Sequence, residues 1–413
     1  MWPVNALLDL VARQLADDLR GAPAAARAHF SAEGRARRCH TIDDLRALAR
    51  RTVARPVFDY VDGAAGDEVT SRRNRAAFAR VELRPRTLVD VSDVTLATTV
   101  LGRAVALPIL AAPTGLTGLT HPDGEVAVAR AAHAAGSLST VSTLSSCSLE
   151  EVHAAAPGRK WFQLYVLRDR GLTAALVDRA EAAGYEALML TVDVQVAGVR
   201  DRDVRNRFSV PPRLTLRTLA DGARHPRWTA AFAARPRITP GNFGLGGGAA
   251  SLAAHVNRQF DPTLTWEDVA RLRERWRGPL LIKGIMRADD AVRAAEHGVD
   301  AVVVSNHGGR QLDHAQATID ALPAIADAVG DRVELYLDSG VRRGTDVVKA
   351  LALGARAVLV GRPLMYGLGA AGEAGVRRAF AILRAELATA LALAGCPGLE
   401  DLGPGAVTGP DPM

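Results

Sequence analysis

The stretch PLLIKGIMRADDAVRAAEHGVDAVVVSNHGGR, residues 279 to 310, carries the pattern that decides the fold. Two short runs, PLLI and AVVV, are apolar throughout, and between them ADDAVRAAEHG places its alanines, valine and charges at helical spacing. Continuous rather than alternating apolar strands are what a parallel sheet covered on both faces requires. Each run also ends in a residue with chemistry: Lys283 after the first, Ser305 and His307 after the second.

Moving outward, the same rhythm recurs. AVALPILAAP, SLSTVST, WFQLYV and ALMLTVD precede this pair, and ELYLDSG and AVLVGRP follow it, separated mostly by helical patterns such as GEVAVARAAHAAG, RGLTAALVDRAEAAG and GTDVVKALALGA. Eight such units predict an α/β protein, a (β/α)8 TIM barrel. The rival is a doubly wound open sheet. Its dinucleotide version wants GxGxxG between an early strand and a helix, whereas APTGLTGLTHPDGE follows the first strand.

Outside this rhythm, residues 1–40 read as an N-terminal helical arm, with Val4, Leu7, Leu8, Val11, Leu15 and Leu19 at helical spacing. Asp9, Arg13, Asp17 and Asp18 interrupt the apolar core that a signal peptide would need. TIDDLRALARR then reads as a helix capped by Thr41 with Asp44 three residues on, leading into PVFDYVDGAAGDE, where glycines mark a loop. The barrel domain is expected over 41–400, with 401–413 a tail. Between strands four and five lies one long insertion, about 201–262, rich in Pro, Gly and Arg. A solvated lid is the first reading; peripheral contact with an anionic membrane through its arginines and Trp228, Phe232 and Phe243 is the second.

Composition narrows the function classes. Net charge is +6, but Lys stands only at 160, 283 and 349, and arginines are spread along the chain beside 45 acidic residues. Nucleic-acid binding would concentrate them in a stripe, so no nucleic-acid partner is expected. The three cysteines, 39, 147 and 396, are far apart and form no CxxC, so neither a metal site nor a disulfide framework is expected, and a reduced cytoplasmic compartment fits. No apolar run is long enough to span a bilayer.

Barrel enzymes place their chemistry at the C-terminal ends of the strands. Here those ends carry Thr114, Thr143 and Ser145, Gln163 and Tyr165, Thr191 and Asp193, Lys283, Ser305 and His307, Asp338 and Ser339, and Arg362. A lone Ser or Thr there could merely solvate a loop. Lys283, directly behind PLLI, must be paired to offset its desolvation, and His307 with Arg310 across two glycines could converge on one small space. After strands seven and eight, Gly340, Arg342, Gly344, Gly361 and Arg362 suit a phosphate. With polar strand ends for a flat ring and Lys283 for an electron-rich reduced ring, the set suggests flavin mononucleotide.

SNHGGRQLD, LDSGVRRGTDVVKALALGA, VGRP, WFQLYV, NRF and APTGLTGLTHPDGE together resemble the FMN-dependent 2-hydroxy acid oxidase and dehydrogenase family, from about residue 41 to 400. TVDVQVAGVRDRD, HPRW and Gly115, where oxidases of the family usually carry Ala, resemble its (S)-mandelate dehydrogenase branch, in which the long loop can attach to a membrane. The resemblance implies His307 as catalytic base, Asp193 as the partner of its imidazole, and Tyr165 as a hydrogen-bond partner of the substrate hydroxyl. Arg310 and Tyr60 would bind the substrate carboxylate, with Arg200 as helper. For FMN it implies Thr114 and Gly115 near the ring, Ser145, Gln163 and Thr191 on its polar edge, Lys283 at N1 and O2, and Ser305 beside the ring or ribitol. Asp338, Gly340, Arg342, Gly361 and Arg362 would hold ribitol and phosphate. A homotetramer is also implied.

Cys147 stands where glycolate oxidase has a tryptophan over the substrate, and VQVAG replaces its TPRLG. Both changes imply a roomier pocket, partly walled by Cys147, for an aryl or larger aliphatic side chain. The expected activity is oxidation of a mandelate-like (S)-2-hydroxy acid to the 2-oxo acid, with a quinone-type carrier or oxygen taking the electrons. The expected location is cytoplasmic or peripheral to the inner face of the membrane. A non-catalytic basic barrel and an isomerase using reduced flavin are the rivals from other classes.

Overall fold

The computed structural model describes residues 31–209, 215–243 and 260–408. Its centre is a closed barrel of eight parallel strands: β1 Ile109–Ala111, β2 Ser139–Ser142, β3 Lys160–Leu164, β4 Ala187–Thr191, β5 Leu280–Ile285, β6 Ala301–Val304, β7 Glu334–Leu337 and β8 Ala357–Val360. Each coincides with an apolar run read from the sequence to within one residue. Closure comes from β8 pairing with β1, Val358 beside Ile109 and Val360 beside Ala111, which rules out the open sheet.

Helices follow the strands in turn: α1 Gly124–Ala134, α2 Leu149–Ala155, α3 Arg170–Ala182, α4 Trp266–Arg275, α5 Ala288–Glu296, α6 Thr318–Val329, α7 Gly344–Ala352 and the long α8 Arg362–Ala394, kinked at Ala371 and Gly372. Strand residues alternate between two apolar compartments. Ile109, Phe162, Leu188, Ile282 and Val302 pack against the helices. Leu110, Trp161, Met189, Leu281, Val303, Tyr336 and Leu359 fill the barrel itself. Thr98–Val100 and Arg103–Val105 form an antiparallel pair whose Val100 and Val105 join that interior cluster. Leu101 N–H donates to Glu334 at the start of β7, and the Arg159 guanidinium, just before β3, donates to the Val100 carbonyl. This hairpin therefore covers the floor and leaves the strands' C-terminal ends as the mouth.

The N-terminal helix read from TIDDLRALARR spans Ile42–Thr52. Its cap is reciprocal: Asp44 N–H donates to Thr41 Oγ1 (3.0 Å) and Thr41 N–H to Asp44 Oδ2 (2.9 Å). The following segment is not all loop. Pro56, in its first turn, starts a helix Arg55–Asp62, which places Tyr60 and Asp62 in its last turn. Residues 1–30 of the expected arm lie outside the described residues; of the rest, Ala32–Arg37 is helical.

The long insertion also differs from a structureless lid. Its described part holds three short helices, Asp201–Arg205, Leu216–Arg224 and Pro226–Ala234. Phe208, Trp228, Phe232 and Ile238 pack on Val53, Val57 and Leu119, and Trp228 Nε1 donates to the Leu119 carbonyl at 3.0 Å. Asn242 is buried, its amide donating to the Ser142 and Thr143 carbonyls and its oxygen accepting from Leu149 N–H. Phe243 is buried as well. Phe243 and Asn242 thus tie the insertion to the barrel, while Trp228 and Phe232 remain half-buried.

Candidate active site

Beyond the strands' C-terminal ends lies a cavity of about 390 Å³. Three adjacent strands meet there through Lys283 at the end of β5. Its ammonium donates to Ser305 Oγ after β6 (2.9 Å) and lies 3.3 Å from the Asp338 carboxylate after β7. Burial would lower the ammonium's pKa, but Asp338 and Asp193 outweigh it and hold the group above its ordinary value, so Lys283 is a fixed buried cation.

The two glycines of SNHGGR explain how His307 and Arg310 share one space. His307, Gly308 and Gly309 all have positive φ (57°, 66° and 74°), the left-handed region that glycine tolerates best. A Cβ at Gly308 would stand 2.7 Å from the Arg362 guanidinium, and one at Gly309 would stand 2.6 Å from the Ser71 backbone nitrogen. Asn306 fixes the turn from behind: it exchanges two 2.8 Å hydrogen bonds with the buried Asn74 amide and donates to the Gln316 carbonyl. His307 Nδ1 lies 2.9 Å from Asp193 Oδ1. Burial raises the Asp193 pKa, but His307 and Lys283 together pull it below the usual carboxylate value, so it is an anion beside the imidazole. The other ring nitrogen, Nε2, has no hydrogen-bond partner among the described residues and is left for a ligand.

Tyr60 lies between two guanidiniums, Arg310 at 5.0 Å and Arg200 at 5.6 Å from its ring centre, and stacks on Phe208 at 4.7 Å. Tyr165 meets Phe260 edge-on, and burial raises its phenol pKa, so it remains a hydroxyl donor. Arg200 pairs with Asp203 at 2.6 Å. Arg310, Arg342 and Arg362 have no carboxylate ion partner among the described residues; Arg310 and Arg362 instead donate to backbone carbonyls. Burial, with neighbouring arginines adding to it, lowers the Arg310 pKa and brings Arg362 down to about 10. Buried cations in excess of anions are costly, and the cost is relieved by an anionic ligand.

The comparisons with known proteins agree with such a site. Residues 49–409 match the family model described as FMN-dependent dehydrogenase. The chain belongs to this family. It is 48% identical over 86% of its length to an L-lactate oxidase from Nostoc sp., covering 94% of that protein. It is 42% identical over 87% of its length to the glycolate oxidase of Spinacia oleracea, covering 93% of it. Among solved structures, that of a monotopic membrane protein, (S)-mandelate dehydrogenase, is 40% identical, covers 90% of this chain and 100% of its own, and has a TM-score of 0.88.

FMN, the family's cofactor, fits the residues present. Gln163 Nε2 and Thr191 Oγ1, on the adjacent strands β3 and β4, lie behind the lining and are buried without a hydrogen-bond partner among the described residues, two donors that the acceptor edge of a ring could satisfy. Thr114, Gly115, Gly361, Arg342 and Arg362 line the cavity with Lys283 and Asp338, which offers backbone and cationic groups for a phosphate. At Gly115 a Cβ would stand 2.9 Å from Leu144 Cβ. Ser305 lies behind the lining, accepting from Lys283 and from His307 N–H.

Two residues expected at the ligands sit elsewhere. Cys147 is fully buried and does not line the cavity: Arg237 donates to its sulfur at 3.3 Å, and burial with Glu125 pushes its thiol up to about 12. Ser145 is equally buried, its hydroxyl donating to the Cys147 carbonyl at 2.6 Å. The loop after β2 turns so that Ser142 and Leu144 face the cavity in their place. Gly340 (φ 100°) must be glycine, since a Cβ there would meet the Asn74 carbonyl oxygen at 2.4 Å. Apolar lining residues such as Leu144, Val194, Ala197 and Phe260 carry no motif of their own, so only the folded loops bring them in.

Proposed function

We propose that this FMN-dependent 2-hydroxy acid oxidising enzyme prefers (S)-2-hydroxy acids with an aryl or bulky aliphatic side chain, (S)-mandelate first. The observation that carries this reading is the apolar side of the cavity: Leu144, Val194, Ala197, Phe208 and Phe260 surround it, small residues stand after β4, and no tryptophan is among the lining residues. An aryl group is stabilised there by burial at about 25 cal/mol per Å² of apolar surface, an energy that a glycolate hydrogen cannot supply.

In this reading Arg310, with Arg200 and Tyr60, grips the carboxylate, and the fixed cation makes binding both tight and oriented. Tyr165 donates to the hydroxyl oxygen. His307 Nε2 takes a proton from the substrate, and Asp193, accepting from Nδ1–H, stabilises the imidazolium that forms. FMN, when bound, accepts the two electrons. Lys283 would supply positive charge beside the ring, Gln163 and Thr191 would donate to its edge, and Arg342 and Arg362 would hold the phosphate. Gly115, where oxidases of the family usually carry Ala, supports a carrier other than oxygen as the second acceptor.

An anaerobic visible spectrum tests both parts. Addition of (S)-mandelate is expected to bleach the flavin band faster than lactate or glycolate at equal concentration, and colour is expected to return slowly in air but quickly with a quinone. Faster bleaching by glycolate would overturn the substrate assignment. Rapid recovery in air would overturn the acceptor.

A further inference from the structure

The two arginines assigned above to substrate and to phosphate are held by one piece of backbone. Arg310 donates to the Tyr60 and Gly63 carbonyls (2.7 and 3.0 Å), and Arg362 donates to those of Val61 and Gly63 (3.2 and 2.8 Å). These carbonyls are the last turn and cap of the helix Arg55–Asp62, where helical carbonyls lack intrahelical donors and the dipole favours cations. The backbone at this end is tightly defined, since a Cβ on Gly63 would lie 2.6 Å from the Asp59 carbonyl oxygen.

The same helix end bears Asp62, a carboxylate at the dipole's unfavourable end with only 4% of its side chain exposed. Such a placement needs compensation, and three elements provide it. Arg46, from Ile42–Thr52, donates twice (2.6 and 2.8 Å); Arg202, from Asp201–Arg205, donates at 2.9 Å; the Tyr366 hydroxyl, from α8, donates at 2.8 Å. Two of the three donors lead back to the site. Arg202 is two residues from Arg200, and the Tyr366 ring lies 5.8 Å beneath the Arg342 guanidinium.

We infer that Asp62 is a positioning residue that fixes the end of the helix Arg55–Asp62, so that its carbonyls hold Arg310 toward the substrate carboxylate and Arg362 toward the FMN phosphate together. The inference rests on the proposed roles of those two arginines. It assigns to one buried carboxylate, remote from the chemistry, the joint grip on both anions.

The test uses the purified holoenzyme and two readouts besides turnover: displacement of the flavin spectrum by oxalate, a dicarboxylate that is not a substrate, and FMN loss on dilution. For Asp62→Asn the Kd values for oxalate and for FMN should each rise about tenfold, the scale of one weakened charge-assisted hydrogen bond. KM should rise with them, kcat of the FMN-saturated enzyme should stay within about threefold, and Asp62→Glu should recover most of the loss. Tyr366→Phe, a milder change, should move both affinities the same way, and it carries the test if Asp62→Asn does not fold. Unchanged affinities in a folded Asp62→Asn or Tyr366→Phe protein would overturn the inference and leave Asp62 a structural residue only. Arg310→Lys is the control. If it too leaves oxalate binding unchanged, the proposed role of Arg310 fails; if it alone weakens binding, only the role of Asp62 fails.

Discussion

His307 becomes a cation when it accepts a proton, and among the described residues the carboxylate paired with its ring is Asp193. Asp193→Asn keeps the shape and removes the charge that the imidazolium meets. Its expected effect is a fall in the rate of anaerobic flavin reduction of about 10²- to 10⁴-fold with KM changed only a few-fold, measured by stopped-flow absorbance. Because the folded pKa of Asp193 is depressed, its stabilising contribution is complete above the unfolded value of about 3.9 and is lost only as pH falls through the lower folded value. Loss of activity between pH 5 and 7 therefore cannot come from this carboxylate. The His307 and Arg310 pair was legible because Gly-Gly between two functional groups at a strand end has few other uses. Cys147 was misplaced because chain order names the residues of a loop without saying which of them turn inward; here Leu144 does.

At the scale of elements, the strands could be read because burial on both faces demands unbroken apolar runs. The insertion after β4 could not, because its Pro, Gly and Arg content masks short helices of five to nine residues, two of which have no side-chain cap. Only Leu216–Arg224 carries a reciprocal cap, Thr215 Oγ1 accepting from Thr218 N–H and Thr218 Oγ1 from Thr215 N–H. That helix leaves Leu216 87% and Leu219 56% exposed beside Arg217 and Arg224. No helix among the described residues is long and apolar enough to cross a membrane. We propose that this short helix makes a peripheral contact with anionic lipid, apolar side inward and guanidiniums at the headgroups. Replacing Leu216 and Leu219 together by Glu is expected to reduce co-sedimentation with phosphatidylglycerol vesicles at least several-fold while leaving flavin content unchanged; equal sedimentation would remove this helix from consideration.

At the scale of the whole molecule, a chain of net charge +6 encloses a cationic centre. Eight strands and their order could be read from repetition alone, but the charge imbalance of the cavity depends on which arginines point inward, which only the closed barrel decides. Since FMN relieves that imbalance, its removal should lower the melting temperature by several degrees, in line with about 2.7 kcal/mol at a hundredfold excess over Kd. Differential scanning calorimetry of apoprotein and holoprotein checks this, and inorganic phosphate should restore part of the difference.

The hairpin Thr98–Val105 has a consequence for the order of events. With Val100 wholly buried and Val105 nearly so beneath the packed interior, the barrel's far end offers no second entrance among the described residues. The hydroxy acid, the oxo acid and whatever removes the electrons must all use the same doorway. The two half-reactions must then take turns, each visitor leaving before the next arrives. Crowding the mouth with one reactant should obstruct the other, so a high concentration of acid should slow the enzyme by delaying its own reoxidation.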